Sequence, residues 1–184
     1  GEFNNWQEAE LSQEDYGGIW SIYSENAMEG QMYKYVIYGK NGRVEHCDPY
    51  GFGMELRPGS ASIIRNVAYS FHDQEWMEKR TRNFDKALNI YEVHFGSWRL
   101  KADGSWFTYD ELAPALIDYC KKYHYTHVEF MPLNEYPFDG SWGYQPTGYF
   151  SPTSRYGNAS QLQTLIDSLH QAGIGAIIDF VPAH

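Results

Sequence analysis

The sequence predicts a multi-domain chain of mixed class. An antiparallel β-sandwich over residues 1–66 is followed by a connector over 67–88 and a parallel α/β unit over 89–184. Three observations carry this. Residues 1–66 hold short aromatic and β-branched runs punctuated by turn residues. Residues 67–88 are polar, with mixed charges and no period. From Leu88 onward, apolar runs alternate with stretches of helical period, the pattern of a parallel sheet with helical crossovers.

The elements follow in order. Gly18–Glu25 and Met32–Tyr38 read as strands, and Asn41-Gly42 supplies a tight hairpin turn. Val44 begins the return strand, Asp48-Pro49 breaks it, and Ala61–Asn66 reads as a further strand. The connector has room for one helical turn. Leu88–Trp98 reads as the first parallel strand. Thr108, with Glu111 three residues later, forms a capping box for a helix with Leu112, Ala115, Leu116, Tyr119 and Cys120 on one face. Pro114 is tolerable near the start of that helix. Thr126–Leu133 is the second strand. A helix from Asn158 or Ser160 runs through His170 and is closed by Gly173. Gly173–His184 is the third strand, apolar enough to be buried on both faces. Either a doubly wound sheet or a (β/α)8 barrel accommodates this order, and in both the ligand site lies at the carboxyl ends of the strands.

Composition narrows the function. The 184-residue chain is 42% hydrophobic and 21% charged, as a globular protein is. Its net charge of −10, with no basic patch among 14 Lys and Arg residues, argues against nucleic acid and against anionic membranes as partners. Two cysteines, Cys47 and Cys120, lie outside any C-x-x-C pair and read as reduced, buried thiols of a cytoplasmic protein. No cofactor or metal is implied. Aromatic content is high, at 17% with 16 Tyr and 6 Trp, and such rings either fill cores or stack on sugar faces.

The second strand is followed by a long loop, Asn134–Gly157, beyond the usual length of a βα connection. Trp142, Tyr144, Tyr149, Phe150 and Tyr156 are interleaved there with Asn134, Asp139, Gln145 and Thr147. Flat rings beside hydrogen-bonding side chains suit a sugar, whose C–H faces stack while its hydroxyls find polar partners. A rigid Ω-loop packed on its own rings fits equally well. At the end of the third strand, Asp179 and His184 flank Phe-Val-Pro-Ala. A carboxylate between Ile178 and Phe180 needs a partner, and a neighbouring arginine is the plain expectation.

The blocks IYEVHFGSW, THVEFMPLNEYPFDGSWGYQPTGYFSPTSRYG and LHQAGIGAIIDFVPAH resemble the bacterial-type 1,4-α-glucan (glycogen) branching enzymes of the α-amylase superfamily, glycoside hydrolase family 13. WGYQ distinguishes this group from the trehalose-releasing enzymes, which usually carry WGYD. FNNW, YKY and CDPYGF resemble the carbohydrate-binding sandwich that precedes the barrel in this family.

The resemblance implies that 89–184 are the first three β/α units of a (β/α)8 TIM barrel, which takes roughly 250 residues when complete. It implies that the chain is an N-terminal fragment whose sandwich lacks its first strand. Asp179 and His184 match the family's first conserved region. There the histidine binds the glucose beside the scissile bond, and the aspartate supports a catalytic-site arginine and the sugar. Tyr144 matches the tyrosine that stacks on that glucose, with Trp142 and Gln145 beside it. Trp6 and Lys34 match glycogen-binding positions of the module. The second tryptophan of that platform is replaced near Arg43 and Val44. The nucleophile and acid/base carboxylates lie beyond residue 184, so the segment holds no catalytic residue. The implied substrate is an α-1,4-glucan such as glycogen or amylose. A hydrolase of the same superfamily, an amylase or a trehalohydrolase, and a non-catalytic glucan-binding module are the competing readings. His94 and Trp98 are expected to hold the barrel together, and His170 to lie on a helix surface.

Overall fold

The computed structural model describes residues 1–13, 17–81 and 86–183. In the first part, strands are short and paired in twos. β1 (Ser12–Gln13) pairs with β2 (Trp20–Ser21), β3 (Met32–Tyr33) with β6 (Ser62–Ile63), and β4 (Tyr35–Gly39) with β5 (Gly42–His46), all antiparallel. The run Met32–Tyr38 is thus split at Lys34 between two ladders. Gly39 faces Gly42 across the β4–β5 hairpin, and Gly42 takes φ +95°, open to glycine without strain. The return strand starts at Gly42, two residues before Val44.

Many rings of this part face solvent rather than a sandwich core. Trp20 and Tyr23 are exposed, as are Ile19, Ile22 and Tyr38, whereas Met54 and Ala61 are buried. The connector holds one short helix, α1 (Gln74–Lys79). Its docking corrects the expectation for His170. That ring stacks on Trp76 at 5.1 Å, and its Nδ1 lies 2.7 Å from Asp73 Oδ2, so it is a packing contact rather than a free surface residue.

The α/β part is built around a three-stranded parallel sheet ordered β11–β8–β7, from β7 (Ile90–Val93), β8 (His127–Phe130) and β11 (Gly175–Ile178). Four-residue α2 (Phe95–Trp98) turns the chain directly after β7. Helix α3 (Tyr109–Tyr123) starts with the Thr108–Glu111 capping box, and α4 (Ala159–Gln171) starts with a second box, Asn158–Gln161. Gly173, at φ +78°, ends α4 in the left-handed conformation that an L side chain resists. Three strands and two crossover helices are present, with no helix described after β11.

Tyr109, Leu112, Leu116 and Cys120 of α3 meet Val128 and Phe130 of β8 and Leu165 and Leu169 of α4 in one apolar cluster. Ala113 belongs to the buried face, while Ala115 is only half-buried. Cys120 is buried as expected, but Cys47 is half-buried. The third strand departs from expectation more clearly. It is not buried on both faces throughout: Ala176 and Ile177 are half-buried and Ile178 is 42% exposed. Among the described residues β11 pairs on one side only, with β8.

Truncating the cluster tests its weight. Leu116→Ala or Leu165→Ala should each lower unfolding free energy by about 2–5 kcal/mol, read from urea midpoints. Leu88→Ala, at an exposed position, should change it by less than about 0.5 kcal/mol.

Candidate functional site

The site is assembled at the carboxyl ends of the parallel strands. β11 ends at Ile178, and the next amide, Asp179 N–H, still donates to the Phe130 carbonyl at 3.0 Å. This holds Asp179 at the rim of the sheet, half-buried. Among the described residues its partner is a tyrosine where an arginine was the plain expectation: the Tyr144 hydroxyl donates to Asp179 Oδ2 at 2.9 Å. That hydrogen bond, with burial second, pushes the Tyr144 phenol up to about 12, and Glu92 and Glu129 on the neighbouring strands add to the shift.

Tyr144 reaches this place because the long loop is a structured hairpin. β9 (Asn134–Glu135) pairs antiparallel with β10 (Gly148–Pro152), with an irregular register between Gly148 and Pro152. Between them, a single 3₁₀ turn (Asp139–Ser141) leads into Trp142 at φ +53° and Gly143 at φ +90°. A Cβ on Gly143 would meet the Pro132 carbonyl at 2.5 Å, so glycine lets the loop close onto the end of β8.

Trp142 is half exposed and stacks on His94, with centroids 5.4 Å apart and planes at 29°. His94, at the end of β7, also contacts Ser97 Oγ at 2.7 Å through Nδ1, and burial pushes its imidazole below the ordinary value. The strand-one histidine therefore lies at the rim under Trp142. Trp98 keeps the packing role expected of it, its Nε1–H donating to Tyr91 Oη at 2.9 Å.

The base of the hairpin is held by a network of charges around Arg155 and Asp139. Arg155 Nη1 donates to Glu135 Oε1 at 2.8 Å, to the Tyr136 carbonyl at 2.8 Å and to Thr153 Oγ1 at 3.1 Å. Its guanidinium lies 3.7 Å over the Tyr136 ring. Arg155 Nη2 and Nε both donate to Asp139 Oδ1, at 2.7 and 3.0 Å. Glu135 also accepts from Ser154 N–H and Thr153 Oγ1–H at 2.6 and 3.0 Å. From the first half of the chain, Arg57 Nε reaches Asp139 Oδ1 at 2.7 Å while its Nη2 pairs with Oδ2. The available signal was the presence of Glu135, Asp139 and Arg155 in an otherwise aromatic loop, since charges there demand partners.

Of the ring cluster expected on the sugar side, Tyr156 departs. It is buried among Phe95, Trp106 and Tyr109. Its hydroxyl lies so near Gly96 that a Cβ there would stand 2.2 Å away. Phe150 is exposed and stacks on Tyr50 at 5.6 Å. Gln145 is exposed and makes no hydrogen bond among the described residues. His184 lies outside the described residues.

In the N-terminal part, Trp6 is half exposed at φ +57°. Lys34 pairs with Glu45 at 3.9 Å, and Arg43 binds Glu45 and Glu8 at 2.8 Å each. Where a second platform ring was missing, an ion-paired arginine stands instead.

Comparison with known proteins first defines the class. The chain shares its fold with parts of larger solved structures. A putative alpha amylase from Salmonella typhimurium matches at TM-score 0.72 and 21% identity, over 92% of this chain and 27% of the other. A pullulanase from Bacillus acidopullulyticus matches at 0.70 and 23%, over 95% and 25%. Residues 1–51 match the family model of carbohydrate-binding module 48, the isoamylase N-terminal domain. A β-sandwich module followed by the start of an amylase-type domain is the architecture these matches support. Sequence then sharpens the class. The chain is 48% identical over 190 residues to the 1,4-alpha-glucan branching enzyme of Geobacillus stearothermophilus and 47% identical over 191 to that of Aquifex aeolicus. All of this chain is covered in both, and about 30% of each relative. The resemblance to bacterial 1,4-α-glucan branching enzymes holds over the whole chain, which spans under a third of their length.

The charge network makes a pH prediction. Arg57 first, then Arg155, pulls the Asp139 carboxyl down to about 2. A folded-state value below the unfolded one means that ionised Asp139 stabilises the fold above the ordinary carboxylate range. That contribution is lost as pH falls from about 4 to about 2. Asp139→Asn should flatten the acid limb of the stability curve across that window, measured as urea midpoints against pH.

Proposed function

We propose that the chain is the N-terminal part of a glycogen branching enzyme: a β-sandwich module over 1–66, a connector over 67–88, and the first three strands of a (β/α)8 barrel over 89–184. The whole enzyme cleaves α-1,4-glucan and transfers the segment to a glucan 6-hydroxyl by a retaining double displacement. The aspartate nucleophile and glutamate acid/base come from sequence outside residues 1–184, and this segment binds and positions the donor chain. A cytoplasmic setting is part of the same proposal. No described helix is long and apolar enough to cross a membrane.

The observation that carries the reading is the 2.9 Å bond from Tyr144 to Asp179. It joins the two motifs on which the resemblance rests, thirty-five residues apart, at one rim. Tyr144 offers a ring for stacking, Asp179 accepts sugar hydroxyls, and Trp142 and Gln145 lie on the same loop; His184 keeps only the role that the resemblance implies for it. The network of Lys34, Glu45, Arg43 and Glu8 satisfies the charges of the module face near Trp6. This supports the barrel rim, rather than the module, as the stronger glucan contact.

Titration of the 184-residue chain with maltoheptaose separates these sites. Tyr144→Ala should weaken binding about tenfold, the loss of one stacked and hydrogen-bonded ring, while Trp6→Ala leaves it nearly unchanged. Loss at Trp6 alone would instead favour a binding module. For the longer enzyme, amylose followed by debranching should yield new branch points, and hydrolysis without branching would favour an amylase or trehalohydrolase. The 184-residue chain incubated alone should form no branches.

A further inference from the structure

Asp139 opens the 3₁₀ turn that delivers Trp142 and Tyr144. Its N-terminal partner, Arg57, comes from a different part of the chain, 82 residues earlier. Arg57 is presented by a stiff turn. The Glu55 carboxylate accepts from the Ser60 and Ala61 amides at 3.0 and 2.8 Å, and Glu55 N–H donates to the Ala61 carbonyl at 3.0 Å. A Cβ on Gly59 would stand 2.7 Å from the Glu55 side chain, so the turn closes on itself. Just before it, buried Met54 is seated against the hairpin. Its carbonyl accepts from Ser154 Oγ, and its sulfur lies where a Cβ on Gly148 would be, 2.4 Å away.

The division of labour on Asp139 is specific. Arg155 holds Oδ1 alone, through Nε and Nη2. Arg57 also reaches Oδ1, and among the described residues it supplies the hydrogen bond to Oδ2. A carboxylate gripped at one oxygen can pivot about that contact. A planar guanidinium spanning both oxygens fixes its plane. Downstream, the turn transmits that orientation through short backbone bonds. Trp142 N–H donates to the Asp139 carbonyl at 3.1 Å, and Tyr144 N–H to that of Ser141 at 2.9 Å.

We propose that Arg57 is a positioning residue for the rim: the N-terminal module lends a guanidinium that fixes Asp139, and through it the loop that sets Tyr144 against Asp179. The consequence for glucan binding rests on the function proposed above, whereas the consequence for the loop does not. On this inference the module acts on the donor site through a contact that touches no sugar.

The test uses the 184-residue chain with 13C-labelled tyrosine Cζ, its Tyr144 resonance assigned with Tyr144→Phe. The unmodified chain should show Tyr144 titrating at about 12. In Arg57→Gln that titration should fall toward the ordinary tyrosine value. The amides of Trp142 and Tyr144 should also exchange about two- to fivefold faster, the scale of losing one partly exposed bidentate ion pair. Arg57→Lys should recover part of both effects. The Asp139→Asn background should abolish the response to Arg57→Gln. Amides of β8 should keep their protection throughout. An unchanged Tyr144 titration and unchanged loop exchange in Arg57→Gln would overturn the proposal. So would faster exchange spread equally over the sheet, which marks a general loss of stability. Both readouts are taken without sugar, so their failure is distinguishable from failure of the glucan reading, which the maltoheptaose titration decides.

Discussion

The buried ion pair between Arg155 and Glu135 is the constraint on which the site depends. Both side chains are almost wholly withdrawn from water, at 1% and 3% exposure. Removing such ions from water costs several kcal/mol each, and their mutual attraction offsets this only when the remaining donors and acceptors are satisfied. Here they are: Arg155 donates to two carboxylates, a carbonyl and a hydroxyl, and Glu135 accepts from arginine, hydroxyl and backbone amide groups. An arrangement this demanding tolerates few geometries. Its contribution is to specify one hairpin more than to add net stability. The shape of the loop between β9 and β10 follows from that specification, and with it the reach of Tyr144.

The hairpin in turn is pinned from below and from the side. Below it, Tyr156 directly follows Arg155 and inserts into the aromatic core, where only a glycine at position 96 leaves room for its hydroxyl. From the side, Met54, Arg57 and Tyr50 of the N-terminal half meet Gly148, Asp139 and Phe150 of the hairpin. The two halves therefore share a surface at the one element that carries the rim loop.

The helices were legible in the sequence because their signals are local. The capping boxes at Thr108 and Asn158, and Gly173 after α4, each lie within a few residues of what they control. Strand limits were overdrawn for the opposite reason. Apolar runs such as Gly18–Glu25 and Gly173–His184 continue past the short segments that find a partner, and pairing is not a local property. Tyr144 and Asp179 were legible as motif residues, although nothing in their spacing announces that they touch. Arg57 was silent altogether. Its partner lies in another part of the fold, and an arginine beside a proline in a turn looks the same paired or solvated. His170 was misplaced similarly, since the helix surface on which it was expected is one that α1 covers.

The electrostatics of the rim bear on the kind of ligand it can hold. Glu92 of β7 and Glu129 of β8 stand in register on neighbouring parallel strands, and so on the same sheet face. Both act on the Tyr144 phenol together with Asp179, in a chain whose net charge is −10. Carboxylates gathered at a partly dehydrated strand end repel phosphate and carboxylate ligands and leave neutral or cationic ones unopposed. A neutral ligand rich in hydroxyl donors is compatible with this field: each hydroxyl proton can be given to a carboxylate while the C–H face rests on a ring. In the proposed subsite Tyr144 and Trp142 are the rings and Asp179 the acceptor. The same acidity that argued against nucleic acid for the chain as a whole is compatible with the uncharged glucan proposed for this rim.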